Sequence, residues 1–145
     1  GNINEIDFSK FDYVIDAIDT ITSKVLIIKK CNELNIPIIS SMGAGNKLNP
    51  MGFIVTDIYK TEVDPLAKVM RNLLRKEGIK KLKVVFSKET ITKPINTLNE
   101  NEESSKREIP GSNAFVPAAC GLLIGSTVLN DLIRKTKDDL FWLCR

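Results

Sequence analysis

The chain has 145 residues, 43% of them hydrophobic, with 21 Lys and Arg against 18 Asp and Glu and a formal net charge of +3. A chain this long buries roughly two-thirds of its unfolded surface, so one globular domain is the natural unit, and so small a charge excess does not by itself mark a nucleic-acid binder. Histidine is absent, which excludes from this chain a Ser-His-Asp triad, a His-assisted cysteine nucleophile and every His-containing metal site.

The opening residues Gly1-Asn2-Ile3-Asn4 read as running sequence, with no basic-then-apolar leader. Tyr13–Ile18 is apolar on both faces, as expected of a central parallel strand covered by helices. From Ile21 the period changes to helical, with Ile21, Val25 and Ile28 on one stripe. Asp19, Thr20 and Thr22 are cap candidates, and Asn35 is a left-handed stop. Ile36–Ser41 is a second strand, which completes a βαβ unit. Met42–Met51, rich in Gly and Asn, is a loop, and Phe53–Tyr59 is a further strand. Pro65 opens an amphipathic helix carrying Leu66, Val69, Met70, Leu73 and Leu74; Gly78 ends it, and Leu82–Phe86 is a short strand.

Residues Lys88–Ser112 hold little to bury and are expected to form a mobile insertion loop. Ala114–Ile133 is the most apolar stretch and closes the fold as a helix. Pro117, Ser126, Thr127, Asn130 and Asp131 interrupt it, so no membrane span is expected. Gly121 and Gly125, one turn apart, are expected to admit a neighbouring backbone. Cys31, Cys120 and Cys144 form no CxxC pair and read as free thiols in a reducing cytosol, which makes the expected location cytoplasmic.

Ligands of open α/β sheets sit beyond the carboxyl ends of the parallel strands. Asp16 and Asp19 fall there, at a strand-to-helix turn. Either they cap backbone amides, or Asp19 holds a Mg²⁺ ion shared with substrate phosphates. Gly43-Ala44-Gly45 lacks the spacing of a phosphate-binding fingerprint and reads as a tight turn. Lys68, Arg71, Arg75, Lys76, Lys80, Lys81 and Lys83 form a basic cluster opposed only by Glu77. It is either a solvated face or a surface for RNA phosphates, and no aromatic interleaves it for base stacking.

The ordered strings "DYVIDAIDTITSK", "NIPIISSMGAGNKLNP", "TDIYKTEVDPLAKVMR" and "LKVVFS" resemble the tRNA threonylcarbamoyladenosine dehydratase branch of the ubiquitin-activating-type, or ThiF-type, adenylating superfamily. The resemblance implies an α/β, Rossmann-like three-layer fold, with residues 1–145 as the carboxyl-side part of one adenylating domain. The first βαβ nucleotide-binding unit would precede them, leaving the fragment inactive alone. It further implies a homodimer using ATP and Mg²⁺ to cyclise threonylcarbamoyladenosine in tRNA, with a sulfur-transfer protein as a further possible partner. Asp19 would be the catalytic metal and ATP-phosphate ligand, with Asp16 and Lys24 beside the cofactor. Gly43, Ala44 and Gly45 would lie by the adenylate, and Arg71 and Arg75 would face the RNA substrate. Where sulfur-carrier-activating relatives continue with Asn and Arg, this chain has Thr20 and Lys24, and a lysine lacks the bidentate fork. The alternatives are an adenylyltransferase for a sulfur-carrier or ubiquitin-like protein, a module that only dimerises, and, third, half of a dehydrogenase.

Overall fold

The structure, a computed structural model, describes residues 3–91 and 111–143. Among these residues a four-stranded sheet runs β1 (Val14–Asp16), β2 (Ile38–Ser41), β4 (Lys83–Ser87), β3 (Phe53–Asp57) from edge to edge. The first three strands are parallel and β3 is antiparallel to β4. Helices α1 (Ile21–Glu33) and α2 (Pro65–Lys76) cover one face, and α3 (Val116–Leu143) crosses the other. The Rossmann-like three-layer architecture holds.

β4 shows why the layers form. Its alternate residues Val84 and Phe86 enter the core under α1 and α2 with Ile28, Met70 and Leu74, while Val85 joins Ile39, Val116, Cys120 and Ile124 beneath α3. A strand apolar on both faces is stable only between two covering layers.

The helix limits follow local chemistry. Asn35 takes φ 56° just after α1, and Gly78 takes φ 71° just after α2, the left-handed stops that these residue types accommodate. Asp64 caps α2 by accepting from the Ala67 amide, with Pro65 in the first turn.

Among the described strands β1 pairs with β2 on one side only, and Ile15 is half exposed. Three expectations are corrected. Val69 faces solvent while Ala67 is buried; the amphipathic stripe of α2 is rotated toward Ala67, Met70 and Leu74. Phe53–Tyr59 is a strand only to Asp57, whose carboxylate accepts from the Tyr59 and Leu82 amides and starts a 3-10 turn. Beside Gly121 and Gly125 nothing lies within 4 Å of where a Cβ would stand, so among the described residues they admit no neighbouring backbone. By length and composition Val116–Arg134 could cross a membrane, yet one face of it, Val116, Cys120 and Ile124, packs on the sheet. The insertion expected over Lys88–Ser112 lies mostly in residues 92–110, outside the described residues.

Candidate functional site at the carboxyl ends of the parallel strands

β1, β2 and β4 end on the same side of the sheet, at Asp16, Ser41 and Ser87. Around these ends gather the turn into α1, the Gly43–Asn49 loop and the amino end of α2.

Asp16 and Lys24 form a buried ion pair, Nζ to Oδ2 at 3.0 Å, with both side chains at most 2% exposed. Asp16 Oδ2 also accepts from Ser40 Oγ at 2.6 Å, and Oδ1 from the Ile18 amide at 3.3 Å. The Lys24 ammonium donates to Asp16, to Ser40 Oγ at 3.4 Å and to the Ser41 carbonyl at 2.8 Å. An ammonium has three protons, and each has a partner here. Lys24 therefore ties α1 to β1 and β2, with its ammonium committed within the fold. Asp16 is likewise committed to the pair.

Asp19 differs. Its carboxylate is exposed and, among the described residues, pairs with nothing. Thr20, the residue before α1, makes no side-chain cap, so neither side chain occupies the first-turn amides. A carboxylate beside open amides at the amino end of a helix suits an anionic ligand that arrives with a divalent cation. No group of three or more Cys, Asp or Glu that could hold a metal occurs among the described residues. Mg²⁺ is nevertheless often held by only one or two carboxylates plus phosphates, and Asp19 can supply one.

The Gly43–Gly45 turn is anchored. Gly43 N–H donates to Asp64 Oδ2 at 3.2 Å, and a Cβ on Gly43 would meet that oxygen at 3.3 Å. Ala44 packs against the α3 core, and Asn46 takes φ 57°. Farther along, Lys47 is buried, its Nζ 3.7 Å from Asp64 Oδ2 and donating to the Ser87 carbonyl at 3.2 Å. The Leu48 and Asn49 amides donate to the two Glu89 carboxylate oxygens at 2.9 and 3.0 Å, and these bonds hold that carboxyl below the usual range. Asn46 and Gly111 exchange two bonds, at 2.8 and 2.6 Å.

The expected substrate arginines are elsewhere. Arg71 donates to the Thr61 carbonyl at 2.9 Å and to its hydroxyl. Arg75 lies over the Tyr59 ring, 5.2 Å from its centroid. α2 runs back toward the start of β4, so Arg75 sits at the amino pole of the sheet, away from Asp19 and Gly43. Exposed Lys76, Lys80 and Lys81 share that pole. A cleft of about 800 Å³ also opens there, lined by Tyr13, Asn35, Pro37 and Leu82. It marks no known chemistry, and the convergence of side chains at the other pole is the better guide.

Ser40, Lys47, Asp64 and Glu89 escaped sequence reasoning. Only Asp64 carried a signal, an Asp directly before a Pro that opens a helix. Two thiols are inert by position. Burial, with the Asp16 charge adding to it, pushes Cys31 up to about 11, and burial raises Cys120 against a contact from Ser41. Iodoacetamide at pH 8 should therefore leave the Cys31 and Cys120 peptides unmodified in native protein, as read by mass spectrometry. Rapid labelling of either would show an accessible thiolate. Cys144 lies outside the described residues.

Comparison with known proteins agrees with this fold. The chain is 48% identical over 130 residues to the tRNA threonylcarbamoyladenosine dehydratase of Bacillus subtilis, covering 85% of this chain and 51% of that protein. To the Escherichia coli dehydratase it is 37% identical over 142 residues, covering 86% and 53%. The crystal structure of the E. coli enzyme, TcdA, in complex with AMP superposes with a TM-score of 0.75 at 30% identity, over 89% of this chain and 51% of that one. Its complex with ATP gives the same score over 88% and 50%. The chain thus spans about half the length of the curated relatives it matches. The model of the ThiF family matches residues 2–139, and the chain belongs to that family.

Proposed function

We propose that this chain is the carboxyl-side portion of an adenylating enzyme that dehydrates threonylcarbamoyladenosine at position 37 of tRNA. The observation that carries the reading is the unpaired Asp19 carboxylate beside the uncapped start of α1, at the strand ends of a fold whose relatives bear that name. The ATP and AMP held by the E. coli enzyme support ATP as the co-substrate.

In the proposed reaction the threonyl carboxylate attacks the α-phosphorus of ATP and pyrophosphate leaves. The carbamoyl oxygen then attacks the acyl carbon and AMP leaves, closing a ring with the net loss of one water. The substrate supplies its own second nucleophile, so no enzyme thiol is needed, which suits the buried Cys31 and Cys120. Asp19 would hold Mg²⁺, whose charge offsets that of the phosphates. Asp16, Lys24 and Ser40 keep the turn that presents Asp19 in place. The Gly43–Gly45 turn would border the adenylate. The chain alone is proposed to be inactive, since its 145 residues contain no glycine-rich phosphate loop. With Arg71 and Arg75 engaged within the fold, Lys76, Lys80 and Lys81 are the better supported contacts for RNA phosphates. The proposed assembly is a homodimer, supported by the apolar Leu122, Leu129 and Ile133 that α3 leaves exposed.

The test is ATP–pyrophosphate exchange by the complete enzyme. Exchange and AMP release should depend on tRNA carrying threonylcarbamoyladenosine, and the chain alone should give neither. Exchange driven instead by a small carrier protein would replace this reading with the sulfur-carrier one.

A further inference from the structure

The Glu62–Asp64 segment holds two features that a simple connection does not need. Val63 has φ 49°, a left-handed conformation that is a genuine outlier for a β-branched residue. Such strain persists only where the surroundings over-determine it, and it gathers at functional sites. Asp64, the next residue, carries a carboxylate 2% exposed whose oxygens do three things. Oδ1 accepts from the Ala67 amide at 2.9 Å, while Oδ2 accepts from Gly43 N–H at 3.2 Å and faces the Lys47 ammonium at 3.7 Å. Lys47, 3% exposed, reaches on to the Ser87 carbonyl at the end of β4. One buried ion pair therefore joins the start of α2, the second residue after β2, the middle of the loop that follows and the end of β4. A helix cap alone requires none of this, since an exposed Ser or Asn would satisfy the Ala67 amide equally well.

We propose that Asp64 and Lys47 are positioning residues that fix the Gly43–Leu48 backbone as a rigid rim of the nucleotide site. This rests on the reading of the carboxyl pole as that site. The left-handed Val63 turns the chain so that the Asp64 carboxylate enters the loop instead of facing solvent. Gly43 lacks the Cβ that would crowd that oxygen. The rim is thereby set before ligand arrives, and binding need not order it.

The decisive variant in the complete enzyme is Asp64→Asn combined with Lys47→Met. Asn keeps an acceptor for the Ala67 amide and Met keeps the stem of the lysine, while both buried charges leave together. Removing such a pair whole is close to neutral for stability, whereas removing one partner strands a charge. The melting temperature of the double variant should stay within about 5 °C of the parent. Its KM for ATP in pyrophosphate exchange should rise at least about tenfold with kcat within about threefold. Amide hydrogen exchange over Gly43–Leu48, which needs no activity, should quicken at least about tenfold. A double variant with unchanged KM, or with loop amides as protected as the parent's, would overturn the proposal. A parent that fails to exchange pyrophosphate would sink the nucleotide reading, while loop protection would still decide whether the pair is a brace.

Discussion

Asp19→Asn in the complete enzyme is expected to lower AMP release by roughly 10²- to 10³-fold, the loss typical when one preorganised electrostatic contact to developing charge is removed. The side chain keeps its volume and loses its charge, so the change isolates the carboxylate. Stability should move by no more than about 0.5 kcal/mol, as is usual for exposed side chains away from networks. Asp19 is exposed and, among the described residues, partners nothing, so no folded-state contact is lost. Raising Mg²⁺ should restore part of the activity if the defect is weaker metal binding. AMP release close to the parent's in Asp19→Asn would leave Asp19 as an ordinary turn residue and remove the main support for the metal role.

The largest stability effect is expected five residues downstream, at Lys24, the partner of buried Asp16. Lys24→Met leaves the Asp16 carboxylate buried with only Ser40 and the Ile18 amide as donors. Breaking a buried pair in this way costs about 3–5 kcal/mol, because the remaining charge is uncompensated. For a chain of this size that lowers the melting temperature by on the order of 10 °C. Adding Asp16→Asn should recover most of the loss, since Asn can still accept from Ser40 and carries no charge. Thermal unfolding of the two variants separates the alternatives. A Lys24→Met protein as stable as its parent, but with a raised KM for ATP, would return Lys24 to the phosphate.

These two neighbours show what the sequence could reveal and where it stopped. The βαβ unit, the stops at Asn35 and Gly78 and the short strand at β4 were readable because each depends on local propensity or periodicity. Asp16 and Asp19 could be picked out by position and Lys24 by the resemblance, but neither says which charges face inward. Lys24 is one helical turn into α1, where a solvent-facing lysine and a buried one look alike until β2 brings Ser40 beside it. Lys47 was hidden for the same reason: a lysine in a loop rich in Gly and Asn reads as exposed, and its burial comes from Asp64 and Ser87, far along the chain. The edge position of β1 depends on strand pairing, which periodicity does not encode. Arg71 and Arg75 were grouped with the other basic residues by sequence proximity, while the fold spends them on Thr61 and Tyr59.

The bonds that fasten Glu89 and Gly111 to the same short loop have an evolutionary consequence. Glu89 and Gly111, on either side of residues 92–110 in the sequence, are fastened at neighbouring points, Leu48–Asn49 and Asn46. Both are held by backbone groups and one Asn side chain, so the number of residues between Glu89 and Gly111 is not dictated by the sheet. Doubling a flexible connection between two fixed points adds only about 0.6 kcal/mol of closure entropy. Homologous chains can therefore lengthen, shorten or rewrite this stretch at little cost to the core, and lineages can diverge there first. The two fastening points are where such variation should stop.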